Sequence, residues 1–269
     1  MKLSFSTLGC PDWTLNESIA ISADLGYNGI EIRGVADEMY APRIPAFGDS
    51  LLEKTKQRFA RASLSVPILT SGAFFADQKD VDGAMTEAKE YLLLASKMGV
   101  PYIRVMGECS PEPRNTKELP QAVTCYKELC RYAAPLGVMP LIETNGVLAD
   151  SKTMLSFLSQ VDEPNMGVLW DIHHTFRFYD EAPADTVKAL GSYIRHVHVK
   201  DSVRGRNGVI TYMLNGYGDV PIEESVSSLR AIGFDGFYSY EWVKRWSREL
   251  AEPGIAFHKY ISFMRELED

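Results

Sequence analysis

Four residues able to grip a metal ion or move a proton stand at the ends of four separate apolar runs: Glu143 in MPLIETN, Asp171 in MGVLWDIHH, His198 in IRHVHVKD and Glu241 in GFYSYEW. Three carboxylates and one imidazole make an oxygen-rich donor set with a single nitrogen, which suits a divalent cation of the Mn, Mg or Co type. A cation so held would polarise a carbonyl, and carboxylates beside it could take and return a proton on the neighbouring carbon. That is chemistry for a hydroxy-carbonyl compound.

Positioning those residues is the work of the elements around them. Each run is short, rich in β-branched and aromatic residues, and followed by a helical pattern, so each reads as a parallel strand feeding a helix. The same unit recurs along the chain. Strands are expected at 3–7, 29–34, 66–71, 102–107, 140–145, 167–172, 196–201 and 237–242, with helices near 15–25, 49–63, 80–98, 116–135, 151–160, 183–191, 222–231 and 252–267. Gly26, Gly99 and Gly137 stand where helices should stop, and Ser151 where one should start. Eight such units indicate an α/β fold, a single (β/α)8 TIM barrel spanning residues 1–269, whose active site would lie at the C-terminal strand ends. A doubly wound open sheet is the alternative, but the GxGxxG loop expected after its first strand is absent.

Composition bounds the partners. The 269 residues are 45% apolar and 24% charged, enough to bury a full core, and the net charge of −8 argues against a nucleic-acid binder. The N-terminus, MKLSFSTLGCPDW, does not read as a signal peptide, and no run approaches the roughly 20 apolar residues of a membrane span, so a cytoplasmic protein without membrane contact is expected. Cys10, Cys109, Cys125 and Cys130 show no CxxC or CxxH spacing and should stay reduced.

Strand parity tests the site independently, because residues two apart share a face. Glu143 shares its face with Leu141, Asp171 with Leu169, His198 with His196 and Lys200, and Glu241 with Phe237 and Ser239. Ile142, Val168, Trp170, Val197, Val199, Tyr238, Tyr240 and Trp242 have the opposite parity and should pack against helices. Glu31 and Arg104 alternate with apolar neighbours in the same way. A charged interior must be paired or must coordinate something, since burying a charge alone costs several kcal/mol or more. An internal salt-bridge network of Glu31, Arg104, His196 and Lys200 with the acids would satisfy part of that need. Lys200 could alternatively meet a substrate oxyanion. Trp13, in the loop after the first strand, could stack on a sugar face or anchor the rim. Aromatic residues around 237–246, if exposed, would fit a homo-oligomer contact.

The order Glu, Asp-x-x-His, His-x-His, Glu on successive strands, written LIETN, WDIHH, HVHVKD and YSYEW, resembles the xylose isomerase-like TIM-barrel superfamily, whose members include ketose 3-epimerases, hydroxypyruvate isomerase, inosose dehydratase and endonuclease IV. The segment NGYGDVPIEESVSSLRAIGFDGFYSYEW strengthens the resemblance, which covers nearly the whole chain. It implies that Glu143, Asp171, His198 and Glu241 bind one divalent metal, Mn first, with Mg, Co or Zn as alternatives. It implies further that Glu143 and Glu241 form the acid–base pair on opposite faces of a small sugar or polyol substrate, and that His174 and Arg204 contact that substrate.

One departure bears on the reaction. Ketose epimerases carry a further Glu six residues after the first metal ligand, and this chain has Ala149 there. The expected activity is therefore a metal-dependent isomerase or epimerase acting by proton transfer, with β-elimination from an inosose or 3-keto-glycoside as the alternative. An abasic-DNA endonuclease of the same superfamily needs further His ligands on earlier strands. All five histidines, His173, His174, His196, His198 and His258, come too late to supply them. A non-catalytic sugar-binding barrel would be favoured by the loss of a carboxylate from the quartet, and none is missing.

Overall fold

The computed structural model describes residues 1–76, 79–114 and 119–268. In chain order its strands are β1 Lys2–Ser6, β2 Gly29–Glu31, β3 Ile68–Phe74, β4 Tyr102–Met106, β5 Met139–Glu143, β6 Gly167–Asp171, β7 Ile194–Val199, β8 Asp201–Arg204, β9 Ile210–Met213 and β10 Phe237–Tyr240. Its helices are α1 Leu15–Leu25, α2 Leu52–Arg61, α3 Val81–Met98, α4 Leu119–Ala133, α5 Ser151–Val161, α6 Ile172–Tyr179, α7 Pro183–Leu190, α8 Ile222–Ala231 and α9 Pro253–Glu266. Eight strands form one sheet in the order β2-β1-β10-β7-β6-β5-β4-β3, while β8 and β9 make a separate two-stranded hairpin. Chain order is preserved across the sheet with the first strand beside the last, which is the strand order of a (β/α)8 barrel.

The chain divides into two compact units, residues 68–196 and residues 1–67 with 197–269. In the first, β3 to β6 pair in parallel, with Thr70 opposite Arg104, Arg104 opposite Leu141 and Leu141 opposite Gly167. Ile68, Leu141 and Leu169 are fully buried together, with Tyr102 and Met139 packed on them. Burial of each such aliphatic side chain contributes about 1.5–3 kcal/mol. Two residues further along the strands, on the same face, stand Thr70, Arg104, Glu143 and Asp171, all buried. Ile103, Ile142, Val168 and Trp170 have the opposite parity and are fully buried. On that side Tyr126 of α4 donates to the Pro140 carbonyl at 2.7 Å and lies 5.8 Å from the Phe157 ring of α5.

In the second unit the sheet interior is polar from the start: Ser4 pairs with Ser239 and Ser6 with Glu31, all buried. Phe5, Tyr238 and Tyr240 face the helices, where Phe5 stacks on Phe257 at 4.1 Å and Tyr240 on Tyr260 at 4.6 Å. Helix α1 starts at a capping box between Thr14 and Glu17 and ends at Gly26 with φ of 77°, a left-handed position that glycine adopts without strain.

Several expectations need adjustment. Strand β2 ends at Glu31 rather than 34, and β6 ends at Asp171 because Asp171 already caps a helix, α6, in a stretch where no helix is expected from the pattern. The cap of α5 is Asp150, which accepts from Thr153 N at 2.9 Å, and Ser151 is the first helical residue. Within the expected loop 202–220 lies the β8–β9 hairpin. The first residues of the helix expected at 116–135, and parts of the loops 72–80 and 107–116, fall outside the described residues. The aromatic residues at 237–246 are not an exposed group: Tyr238, Tyr240 and Trp242 are buried by the helix-facing parity, and Trp246 is the exposed one.

Candidate metal and catalytic site

In residues 68–196 the site is built on the last residues of β5 and β6. Asp171 closes β6 and its Oδ1 accepts from His174 N at 3.1 Å, so one carboxylate both ends a strand and starts a helix. Its backbone N donates to Thr144 Oγ1 at 2.8 Å, which ties it to the residue after Glu143. His174 Nδ1 lies 3.1 Å from the Thr144 carbonyl and must donate to it, since a carbonyl only accepts. A neutral ring then keeps the lone pair on Nε2, which lies 3.5 Å from Asp171 Oδ2. Nδ1 is also 3.9 Å from Glu143 Oε1. Glu143, at the end of β5, has its other oxygen 3.3 Å from Nε of Arg104. Asp171, His173 and His174 offer ligand atoms within 4.8 Å of one another, all buried, so buried acidic and imidazole groups able to take a metal are present.

In the other unit His198, near the end of β7, is fully buried. Its Nε2 lies 3.0 Å from Glu31 Oε2, and its Nδ1 3.4 Å from Glu241 Oε1. A carboxylate against Nε2 holds the proton there and turns the Nδ1 lone pair toward Glu241. Glu241 follows β10 directly and its backbone N donates to the Val199 carbonyl at 3.0 Å. Its Oε2 receives a 2.5 Å hydrogen bond from Lys200 Nζ. Of the expected network of Glu31, Arg104, His196 and Lys200 with acids, Lys200 bonds Glu241 and Nε of Arg104 lies near Glu143, while Glu31 meets the His198 imidazole. Its position at the end of β2, in inward parity, marks Glu31 as an inward charge without naming its partner.

The residue after Lys200 also has a defined task. Asp201 is buried and its carboxylate accepts from the backbone N–H of Ser202, Gly216, Gly218 and Val220, at 2.8, 3.0, 2.9 and 3.3 Å. Burial raises its pKa and the four amides oppose the rise. A Cβ on Gly218 would lie 2.0 Å from Asp201 Oδ1, so only glycine fits. Arg204, at the far end of β8 and opposite Ile210, is exposed. Trp13 is half-buried, with its ring edge-on to Phe257 at 5.5 Å.

The model of the xylose isomerase-like TIM barrel family matches residues 19–264. The chain belongs to that family. Fructoselysine 3-epimerase of Escherichia coli O157:H7 is 22% identical over 262 residues, covering 93% of each chain. Among solved structures, the IOLI protein with a bound zinc atom superposes with a TM-score of 0.81 at 20% identity, over 99% of this chain and 98% of that one. The probable 3-DHS dehydratase AsbF of Bacillus anthracis, involved in petrobactin synthesis, gives a TM-score of 0.80 at 18% identity, over 98% and 99%. No helix among the described residues is long and apolar enough to cross a membrane.

Proposed function

We propose that this chain, as a single barrel domain, is a divalent-metal-dependent isomerase or epimerase that moves a proton on the carbon beside the carbonyl of a small polyhydroxylated compound. Glu143, Asp171, His198 and Glu241 are the metal ligands in this reading, with Mn as the ion and Mg, Co or Zn as alternatives. The observation that carries it is the His198 ring, held through Nε2 by Glu31 with Nδ1 directed at Glu241. An imidazole whose second nitrogen is fixed by a buried carboxylate is how proteins orient a histidine ligand.

When bound, the cation supplies Lewis acidity at the substrate carbonyl. The side chains do the rest. Glu143 and Glu241 take and return the proton from opposite faces of the substrate. Lys200 fixes one oxygen of Glu241 and leaves the other toward His198, so the carboxylate keeps one orientation. Lys200 also serves the substrate oxyanion in this reading. The His174 Nδ1 bond to Thr144 fixes the ring beside Glu143 and Asp171, and in this reading His174 contacts a substrate hydroxyl. Trp13 forms part of the rim, and Arg204 reaches the substrate from the hairpin. The similarity to fructoselysine 3-epimerase supports proton transfer on a sugar-like carbon.

A second reading, a lyase or dehydratase working by β-elimination, is favoured by the fully buried Ala149, which leaves the extra epimerase carboxylate without a counterpart at that position, and by the similarity to a protein named as a dehydratase. Incubating Mn-loaded protein in D2O with ketoses, inososes and 3-keto-glycosides separates the two. Deuterium in an isomer or epimer supports the first reading, and an unsaturated or aglycone product moves the assignment to the second. Absence of both exchange and product with every compound would defeat the enzyme reading for these substrate classes.

A further inference from the structure

We propose that the substrate carries a carboxylate and that Arg104 receives it. This rests on the metal-dependent reading of the site and narrows its substrate class. Arg104 lies in the middle of β4, on the face shared with Tyr102, which packs against the Ile68, Leu141 and Leu169 cluster. Its side chain is 6% exposed. A guanidinium taken out of water needs its donors satisfied, because the desolvation penalty is several kcal/mol. It presents five N–H groups in a planar fork.

The surroundings leave that fork almost empty. Nε stands 3.3 Å from Glu143 Oε2 but has no hydrogen-bond partner, and among the described residues the guanidinium makes no hydrogen bond at all. Other partly buried arginines behave differently: Arg245 donates to the Ala36 carbonyl at 2.6 Å, and Arg195 to the carbonyls of Ser192 and Ile194 at 2.9 and 3.0 Å. Glu143 lies beside one edge of Arg104, so the remaining donors call for a planar acceptor with two oxygens. A carboxylate has that shape and forms paired bonds to a guanidinium. A phosphate would want several further donors, such as helix N-termini. The termini of α5 and α6, which follow β5 and β6, are already capped by carboxylates, Asp150 accepting from Thr153 N and Asp171 from His174 N.

Calorimetric titration of Mn-loaded protein with 2-keto-D-gluconate against D-fructose, which differ by a carboxylate in place of the C1 hydroxymethyl, and with tartronate against glycerol, tests the proposal. The same pairs are titrated into metal-free protein. At least one carboxylate should bind about tenfold or more tightly than its neutral partner, as expected of a charge-assisted pair. In Arg104→Gln the preference should largely vanish while Mn affinity, measured separately, is kept or improved, because a competing cation beside Glu143 is gone. Arg104→Lys keeps the buried positive charge, guards against a folding failure, and should restore only part of the preference, since an ammonium cannot bind bidentately. If no carboxylate is preferred by the wild-type protein, or if the glutamine and lysine variants both keep the full preference, the proposal is overturned. Failure of Mn to bind the wild-type protein would instead sink the metal reading, and a carboxylate preference in metal-free protein would still stand or fall with Arg104.

Discussion

In the proposed site Glu31 stands behind the ligand His198, so removing its carboxylate should loosen the metal. Glu31 and His198 are both fully buried, and their contact is a 3.0 Å bond between a carboxylate oxygen and Nε2. Such a charge-assisted bond contributes roughly 1.5–3 kcal/mol, and its loss frees the ring to rotate or to move its proton to Nδ1, the nitrogen that faces Glu241. Loss of the partner behind a histidine ligand typically weakens metal binding about 10- to 100-fold, or roughly 1.4–2.7 kcal/mol. For Glu31→Ala we expect a Kd for Mn raised within that range. For Glu31→Gln, which keeps an acceptor oxygen but not the charge, we expect a rise of less than about tenfold. Isothermal titration with Mn gives the Kd, and a thermal melt of each metal-free variant reports whether the fold is intact. A folded Glu31→Ala protein that binds Mn as tightly as wild type would refute the assigned role of Glu31 and, with it, the argument from the His198 ring.

Three further outcomes are expected. Glu241→Gln should abolish substrate deuterium exchange and weaken Mn binding, and exchange at the wild-type rate would remove Glu241 from the acid–base pair. Arg204→Ala should raise KM with little change in kcat, since an exposed residue on a hairpin contributes binding that is uniform along the reaction; an unchanged KM takes it out of the site. Ellman's reagent at pH 8 should modify one thiol quickly, the exposed Cys109, because burial pushes the Cys10 and Cys130 thiols up to about 12 and raises that of Cys125; four thiols should react after unfolding.

The strand positions were legible because each strand carries its own signature, an apolar run closed by a polar residue. Parity then assigned faces correctly: Leu141 and Leu169 lie in the buried cluster one layer below Glu143 and Asp171, and Tyr240 is stacked against a helix. The same parity buries Tyr238, Tyr240 and Trp242, whereas Trp246 lies beyond the reach of the strand alternation and is exposed. Helix α6 escaped because Asp171 belongs to two elements at once, and a strand-ending acid looks the same whether or not it caps a helix. The β8–β9 hairpin escaped because its turn, around Gly205 and Gly208, has the composition of an ordinary loop. Glu31 was legible as an inward charge but not as the partner of His198. β1 and β10 lie between β2 and β7 in the sheet, so the accumulated stagger of the strands decides which of their residues meet, and one-dimensional spacing does not encode it.

The Asp201 carboxylate sets limits on how this protein can diverge. Four amides of the segment 202–220 close onto one side chain adjacent to Lys200, so the base of the hairpin and the Gly216–Val220 stretch are locked to the strand that carries His198. Between those anchors the hairpin tip, residues 205–209, is exposed throughout, and the hydrogen bonds among its own residues close its turn. Insertions and substitutions can accumulate at the tip without displacing Lys200, whereas a side chain at Gly218 would push directly on the anchor. Descendants of this sequence can therefore change what approaches the site over the hairpin while inheriting the chemistry beneath it unaltered.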